Sequence, residues 1–318
     1  MDPIVVSICI ATCNQEHYIN ECLESVIGQI EGMNCEILVG DDMSEDATSD
    51  TVARWATRHP DTVRHFRHPR RLGPAANYQF LASRSRGQWV AHLDGDDMWL
   101  PGKLASQIEF MNANPDCPAV YTNAIVVDSA GALYGIFNNA QPARFDFSTL
   151  LRRGNFLNHS SLLYRREFAE AVTGPAPPFI DYTIHLGFAK YGLLGYVNRP
   201  GVIYRLQTST SMILHANEHT RELYWQALAV IEADETTRYA LAAGKGDFLR
   251  RVFFRAMRTR TPRLFVRWCR RILASGDPDR FVTVAAMLLS IFTTLFTGVV
   301  EAFGLWLVRG KTRVLYRR

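Results

Sequence analysis

The chain has 318 residues, 47% hydrophobic and 21% charged, which is ordinary for a globular protein and leaves room for one large domain or one domain with an appendage. Its net charge of +4 is unevenly placed: residues 245–318 carry 16 Lys/Arg against 4 Asp/Glu, a balance of +12, so the first 244 residues hold −8. An acidic body with a basic tail predicts two jobs, and the tail suits an anionic surface; nothing in the chain resembles a nucleic-acid module. The six cysteines show no CxxC spacing and several lie in apolar runs, which predicts reduced, buried thiols and a cytoplasmic location. The start of the chain has Asp2, no basic segment and an immediate strand pattern, so no signal peptide is predicted.

Taken in order, Ile4–Thr12 is a nearly unbroken β-branched and apolar run, the pattern of a strand covered on both faces. A polar loop over Cys13–Glu16 follows, then helical spacing over Tyr18–Ile30. Glu36–Gly40 predicts a second strand, ending in the acidic stretch Asp41-Asp42-Met43-Ser44-Glu45-Asp46. Ala47–His59 predicts a helix, which Asp42 and Asp46 could simply cap. Val63–Phe66 predicts a third strand, Gly73–Arg84 a helix and Trp89–Leu93 a fourth strand. This alternation calls for a parallel, doubly wound α/β sheet. Neither G-x-G-x-x-G nor G-x-x-x-x-G-K-[ST] occurs, so a Gly-rich phosphate loop is not part of it.

The fourth strand runs into Asp94-Gly95-Asp96-Asp97, three carboxylates in four residues. Such crowding is unfavourable in a simple turn and suits a hard divalent cation, which takes oxygen ligands and offsets the repulsion. Gly95 is expected to let the turn close so that Asp94 and Asp96 face one site, with Pro101 in the first turn of the next helix. The site would then lie at the carboxyl ends of the strands, where open α/β sheets bind ligands. A solvated acidic loop is the plain alternative. Further on, Pro101–Asn114 predicts a helix, Ala119–Val127 a strand, Gly131–Phe137 a hairpin return and Phe147–Arg153 a short helix. Asn158–Tyr164 reads as a strand, and a Pro-rich loop delivers Asp181 to the start of a helix that ends near Tyr191. Gly195–Val197 and Val202–Tyr204 close the region.

These motifs, in this order, resemble the inverting family 2 glycosyltransferases of GT-A fold over roughly Val5 to Ser211. The resemblance rests on Thr12, Asn14, Glu16 and Tyr18; on Glu36–Asp42 with Ser44 and Asp46; on Gly73 through Asn77; on Asp94–Asp97 with Trp99 and Pro101; on His159-Ser160-Ser161; and on Asp181-Tyr182. It implies a donor pocket lined by Thr12, Asn14, Glu16, Asp41, Asp42, Gly73, Asn77, Asp94 and Gly95, with Asp41 accepting a hydrogen bond from the nucleobase. It implies Asp96 as ligand of Mg²⁺ or Mn²⁺ on the diphosphate and Asp181 as catalytic base, and it brings Asp97, Trp99, His159 and Gln207 near the acceptor or the metal. Trp99 is expected as an acceptor platform, and His159 is more readily a structural histidine. Two departures stand out: Ile180 replaces a frequent Glu before the Asp, and Gln207 replaces a frequent His. The implied reaction moves a sugar from a nucleoside-diphosphate donor, UDP-linked by expectation, to a glycan or lipid-linked acceptor. A nucleotidyltransferase, or a nucleotide-sugar-binding scaffold without activity, are the alternative readings.

The tail begins with Phe248–Ser275, which Pro262 divides into two helical pieces. In the second, Leu264, Phe265, Trp268 and Ile272 share a face opposite several arginines, the pattern of a membrane-surface helix. Phe281–Val300 then runs 20 residues without a charge, yet basic residues flank it on both sides. That argues for an interfacial or re-entrant arrangement on the cytoplasmic face of a membrane rather than a simple crossing. Packing on the enzyme or on a second subunit of a homo-oligomer is the alternative. The expected organisation is a catalytic domain over 1–212, a helical connector over 213–244 and a basic helical region over 245–318.

Overall fold

The computed structural model describes residues 3–206, 217–232, 234–274, 279–307 and 313–316. They form two compact units: Met1–Asp146, Phe156–Leu223 and Arg313–Arg318 make the first, Phe147–Asn155 and Tyr224–Thr312 the second.

The first unit is built on a mixed sheet. β1 (Val6–Thr12), β2 (Cys35–Asp41), β3 (Val63–Arg67) and β4 (Trp89–Asp94) run parallel in the order β4-β1-β2-β3. Every residue of β2 is buried and β1 nearly so, as an unbroken apolar run demands of a strand covered on both faces. The covering helices are α1 (Ile19–Ile27), α2 (Thr48–Arg58) and α3 (Pro74–Ala82). α1 buries Ile19, Cys22, Leu23 and Val26, a stripe at helical spacing. The register matters most at the strand ends: Thr12 lies opposite Asp41, and Ala11 opposite Asp94.

Beyond β4 the sheet turns antiparallel. After the two-residue β5 (Met98–Trp99) and α4 (Lys103–Ala113) come β6 (Ala119–Val127), β7 (Leu133–Asn138), β8 (Arg144–Phe145) and β9 (Leu163–Arg165). β6 pairs antiparallel with β7 and β9, and β9 in turn with β4. Three expectations change here. The stretch from Asn158 is not one strand: His159–Ser161 forms a turn of 3₁₀ helix, and only Leu163–Arg165 pairs. The pieces around Gly195 and Val202 are one strand, β10 (Leu194–Arg205), parallel to β6 with register shifts on either side of Pro200. Proline has no N–H for the ladder, so it sits where the register is broken. α4 begins at Lys103, after Gly102 at φ 80°, so Pro101 lies in the preceding turn and not in the helix. β11 (Val314–Tyr316), from the basic tail, pairs with β7 at the sheet edge.

The remaining helices follow in chain order. α5 (Phe147–Arg153) belongs to the second unit, while α6 (Glu170–Thr173) and α7 (Asp181–Ala189) belong to the first. Then come α8 (Asn217–Ala229), α9 (Arg238–Arg258), α10 (Pro262–Ala274) and α11 (Arg280–Leu307). In the second unit α9 packs with α5, α10 and α11, and Tyr224 and Trp225 of α8 join the aromatic core. Phe248 of α9 lies 5.9 Å from Trp225 and 4.9 Å from Trp268 of α10, ring to ring. This corrects the reading of α10: Trp268 and Ile272 are buried, so its apolar face turns into the unit and not toward a membrane. Among the described residues no helix is long and apolar enough to cross a membrane.

The six cysteines are free, and Cys9, Cys22, Cys35 and Cys117 are buried. Burial pushes the Cys9 thiol up to about 12, so it stays protonated.

Gly40, just before Asp41, is a close-approach glycine. A Cβ there would collide with Asn77 Oδ1 and reach 3.1 Å from Leu81 Cδ1. Asn77 cannot yield, because its Nδ2 donates to Gly40 O at 2.8 Å and its Oδ1 meets His68 Nε2 at 2.9 Å. Gly40→Ala should therefore destabilise the chain by about 1–3 kcal/mol in denaturant unfolding. An unchanged unfolding midpoint would show that α3 is free to move.

Candidate active site

The two acidic strand ends, of β2 and β4, lie on either side of the end of β1, and their carboxylates have different partners. Asp41 is wholly buried. Its Oδ1 accepts the Ser44 N–H at 2.8 Å. Its Oδ2 has no hydrogen-bond partner among the described residues, with His65 Nε2 and Arg67 Nε each 3.8 Å away. Burial alone would raise its pKa. The donors around it, from His65, Ser44 and Ser49, outweigh that and bring it down to about 2. Asp42 points the other way: its two oxygens accept the N–H groups of Leu72 at 2.6 Å and Gly73 at 2.9 Å. It thereby sets the start of α3, where Gly73 has φ 85°.

The loops after β1 and β2 are sewn together. Asn14 N donates to Ser44 Oγ, Gln15 N to Thr48 Oγ1 and Glu16 N to Asp46 Oδ2. In return Asn14 Oδ1 accepts from Glu45 N, and Glu16 Oε2 from Ala47 N. Asp46 Oδ1 also accepts from Thr48 N at the start of α2, the capping role read from the sequence. Asn14, Glu16, Asp42 and Asn77 were expected to line a donor pocket. Each has at least one polar group engaged by this scaffold, and Asn77 is buried beneath it. Thr12 Oγ1 donates to Gln15 Oε1 at 2.8 Å. Gly95 sits against that bond: a Cβ would lie 2.5 Å from Gln15 Oε1 and 2.8 Å from Thr12 Oγ1. Its φ is not positive, so close approach, and not the backbone freedom expected, is what requires glycine here.

The Asp94–Asp97 turn is organised by a residue 63 positions beyond it. Ser160 Oγ lies 2.5 Å from Asp97 Oδ2 and 3.3 Å from Asp94 Oδ2, and accepts the Asp94 N–H at 3.2 Å. Asp97 is buried, and its Oδ1 accepts the Arg205 N–H at 2.9 Å. Burial first, then repulsion from Asp96 and Asp94, pushes the Asp97 carboxyl well above the usual range. Asp94 and Asp96 are half-buried. His92, two residues back on β4 and so on the same strand face, donates Nε2–H to Asp94 Oδ1 at 3.0 Å.

His159 and Ser161 complete the link. Ser161 Oγ accepts the Thr122 N–H of β6. His159 packs against His92 with the rings tilted at 39° and 4.2 Å between centroids, and its Nδ1 lies 3.2 Å from His185 Nε2 on α7. Burial pushes His159 well down and His185 to about 3, so both stay neutral and one donates to the other. His159 is thus a structural histidine. Asp181, half-buried at the first position of α7, lies one turn before His185, and its Oδ1 accepts the Tyr182 N–H at 2.8 Å. The 3₁₀ turn therefore ties the acidic turn, β6 and the Asp181 helix together.

Sequence reasoning assigns no role to Ser160, His92 or His185. Two signals were available: His92 is two residues from Asp94 in a strand, and His185 four from Asp181 in a helix. Trp99 is not the acceptor platform expected of it. It is 2% exposed, packed in the core with Lys103 Nζ 4.1 Å from its ring, and no acceptor can stack on it. Gln207 lies outside the described residues. Among those described, no three His, Cys, Asp or Glu side chains are grouped to hold a metal ion.

Residues 7–173, just over half of the chain, match the model of the family described as Glycosyl transferase family 2. The chain belongs to that family. It is 28% identical over 70% of its length to an uncharacterised protein of Mycobacterium tuberculosis, and spans 64% of that relative, so less than two thirds of it. It is 25% identical over 72% of its length, and 87% of the relative's, to WfgD of Escherichia coli, a UDP-Glc:α-D-GlcNAc-diphosphoundecaprenol β-1,3-glucosyltransferase. Among solved structures, TarS of S. aureus with UDP-GlcNAc superposes with a TM-score of 0.61 at 17% identity, covering 89% of this chain and 79% of that one. The mannosyltransferase PcManGT of Pyrobaculum calidifontis, with GDP-Man and Mn²⁺, gives 0.53 at 18% identity, covering 92% and 88%. The likenesses to solved structures show the GT-A fold.

Two consequences are measurable. Ser160→Ala removes the hydroxyl beside a buried carboxyl and should cost about 1–3 kcal/mol in denaturant unfolding. Stability within a few tenths of the parent would show that Ser160 does not hold the turn. Asp41, ordinarily near 3.8, is held at about 2, so its contribution is complete above 3.8 and fades as pH falls toward 2. Asp41→Asn should flatten that part of the acid-unfolding curve, and identical curves would remove Asp41 as a stabilising charge.

Proposed function

We propose that the protein transfers a sugar from a UDP-linked donor to a glycan or lipid-linked acceptor with inversion of the anomeric carbon. The observation that carries this reading is the register: Thr12, Asp41 and Asp94 end adjacent parallel strands, and Asp94 opens the acidic turn at the same edge. The unpartnered Asp41 Oδ2 suits an N–H of the nucleobase. The half-exposed Arg67, 3.8 Å from that oxygen, is the side chain a base would displace. The UDP-GlcNAc and UDP-Glc named for TarS and WfgD support a uridine donor, and the diphosphoundecaprenol in WfgD's name supports a lipid-linked acceptor.

A divalent cation fits the donor set in part. Asp97 is buried and engaged with Ser160 and Arg205, while Asp94 and Asp96 are half-buried and would be the hard oxygen ligands. Two carboxylates are too few for an enclosed site but suit Mg²⁺ or Mn²⁺, which complete their shell with substrate phosphates and water. Asp96, with Asp94, would hold it, and when bound it offsets the charge that develops on the leaving diphosphate. The Mn²⁺ of PcManGT supports this.

The protein's own groups do the rest. Asp94 is oriented by His92 and Ser160 toward the donor's ribose and sugar. Asp181 removes the acceptor hydroxyl's proton as that oxygen attacks the anomeric carbon from the face opposite the leaving group. Its place in the first turn of α7 favours the ionised form. The proton moves as the new bond forms, when the hydroxyl is becoming acidic.

The test is turnover of a panel of UDP- and GDP-sugars by the full chain, with and without Mn²⁺. Asp181→Asn keeps the side chain's size but cannot take the proton. It should bind donor within about threefold of the parent and lose about 10²–10⁴-fold in kcat. Near-parental turnover would place the base elsewhere, and a protein that binds UDP-sugar without turning any over would be a binding module.

A further inference from the structure

The second unit carries an apolar face that its own fold does not cover. α11 packs on α9 through one side only. A Cβ at Gly246 of α9 would lie within about 3 Å of Thr283 O, Ala286 Cβ and Met287 N, so the two backbones are in close contact there. Thr283 and Met287 are accordingly buried. On the other side, Phe281, Leu288, Leu289, Phe292, Leu295 and Phe296 are 54–75% exposed. Phe281, Leu288, Leu289, Phe292 and Phe296 recur at steps of three, four and seven, so they form a stripe along the helix and not scattered positions. A contiguous exposed patch of this kind marks an interface.

Charge selects the occupant. The stripe's own unit carries 16 Lys/Arg against 7 Asp/Glu, a balance of +9, and exposed arginines of α10, Arg263 and Arg270, stand in it. At the start of α11, Arg280 lies over the Phe281 ring at 5.2 Å, a cation beside the first apolar residue of the stripe. Two copies of such a region repel each other. An anionic lipid surface attracts it, by about 1 kcal/mol for each Lys or Arg close to the head groups. Basic residues flank the uncharged run on both sides and one face of α11 is packed on α9, so the geometry is that of a helix lying in the interface plane.

We propose that the second unit docks on an anionic membrane surface through the exposed face of α11, with Phe281, Leu288, Leu289, Phe292 and Phe296 entering the boundary between head groups and acyl chains. Trp268 and Ile272 of α10 take no part, because they are buried in the unit. The docking stands apart from the transfer reaction, since its readout is partitioning and not turnover.

The experiment floats the full-length protein with vesicles of phosphatidylglycerol and phosphatidylcholine in equal parts, and with phosphatidylcholine alone. The comparison is the double variant Leu289→Gln/Phe292→Gln, which keeps net charge and helix propensity. The parent should float with the anionic vesicles, and more weakly as salt rises. The variant should partition at least about tenfold less while keeping the parent's circular dichroism and UDP affinity, since both positions are exposed. A parent that stays unbound at low salt, or a variant that floats as well as the parent, would overturn the proposal. A parent that forms dimers which the variant cannot, with neither floating, would make a second copy the occupant and overturn it equally.

Discussion

The constraint on which the first unit depends is the confinement of carboxylates at the ends of parallel strands. β2 and β4 each end in aspartates that are buried or half-buried, and an ionised carboxylate without donors is costly there. The chain answers differently at each. Asp42 takes two backbone N–H groups from the start of α3, Asp41 takes one and is flanked by His65 and Arg67, and Asp97 takes Ser160 and the Arg205 N–H. The loops that supply these donors also border the candidate site, so satisfying the carboxyl groups and placing those loops are one structural act.

That explains why so many residues expected to touch a ligand are found touching the backbone. Asn14, Glu16 and Asp46 bridge the loops after β1 and β2, and Asn77 spans Gly40 and His68. A polar residue that recurs in a motif can be there to hold the loop that holds the ligand. Burial alone does not divide them: Asn14, Asp46, Asp94 and Asp96 are half-buried, Glu16 is exposed, and only Asn77 lies inside. The sharpest case is Asp41, which is inside yet keeps one oxygen unpartnered, an arrangement that is costly unless something else completes it.

Much of this was legible in the sequence. The apolar runs located the parallel strands, and the acidic clusters marked their carboxyl ends, because both signals are local. What was not legible depends on contacts across long separations. Ser160 reaches Asp97 only because the 3₁₀ turn stands where a strand was expected. Trp99 follows the acidic turn and looked accessible. Its pairing with Val202 of β10 places it in the core, which no reading of the residues around it could supply.

The tail shows the same limit in a different form. α10 has the clean amphipathic pattern, and that pattern is honoured inside the unit: Trp268 and Ile272 are buried there, and the Trp268 ring meets Phe248 of α9. α11 has no charged residue from Phe281 to Val300, so its sequence cannot say which side is inward. Packing decides. Gly246 admits the backbone of α11 on the side of Thr283 and Met287, and the bulky residues are left on the other. A helix apolar all round that is covered on one side only must find its second cover outside the unit, and the basic balance of the same region determines which surface is attractive. Periodicity identifies a face that needs burying. Only the packing tells whether the protein has buried it already.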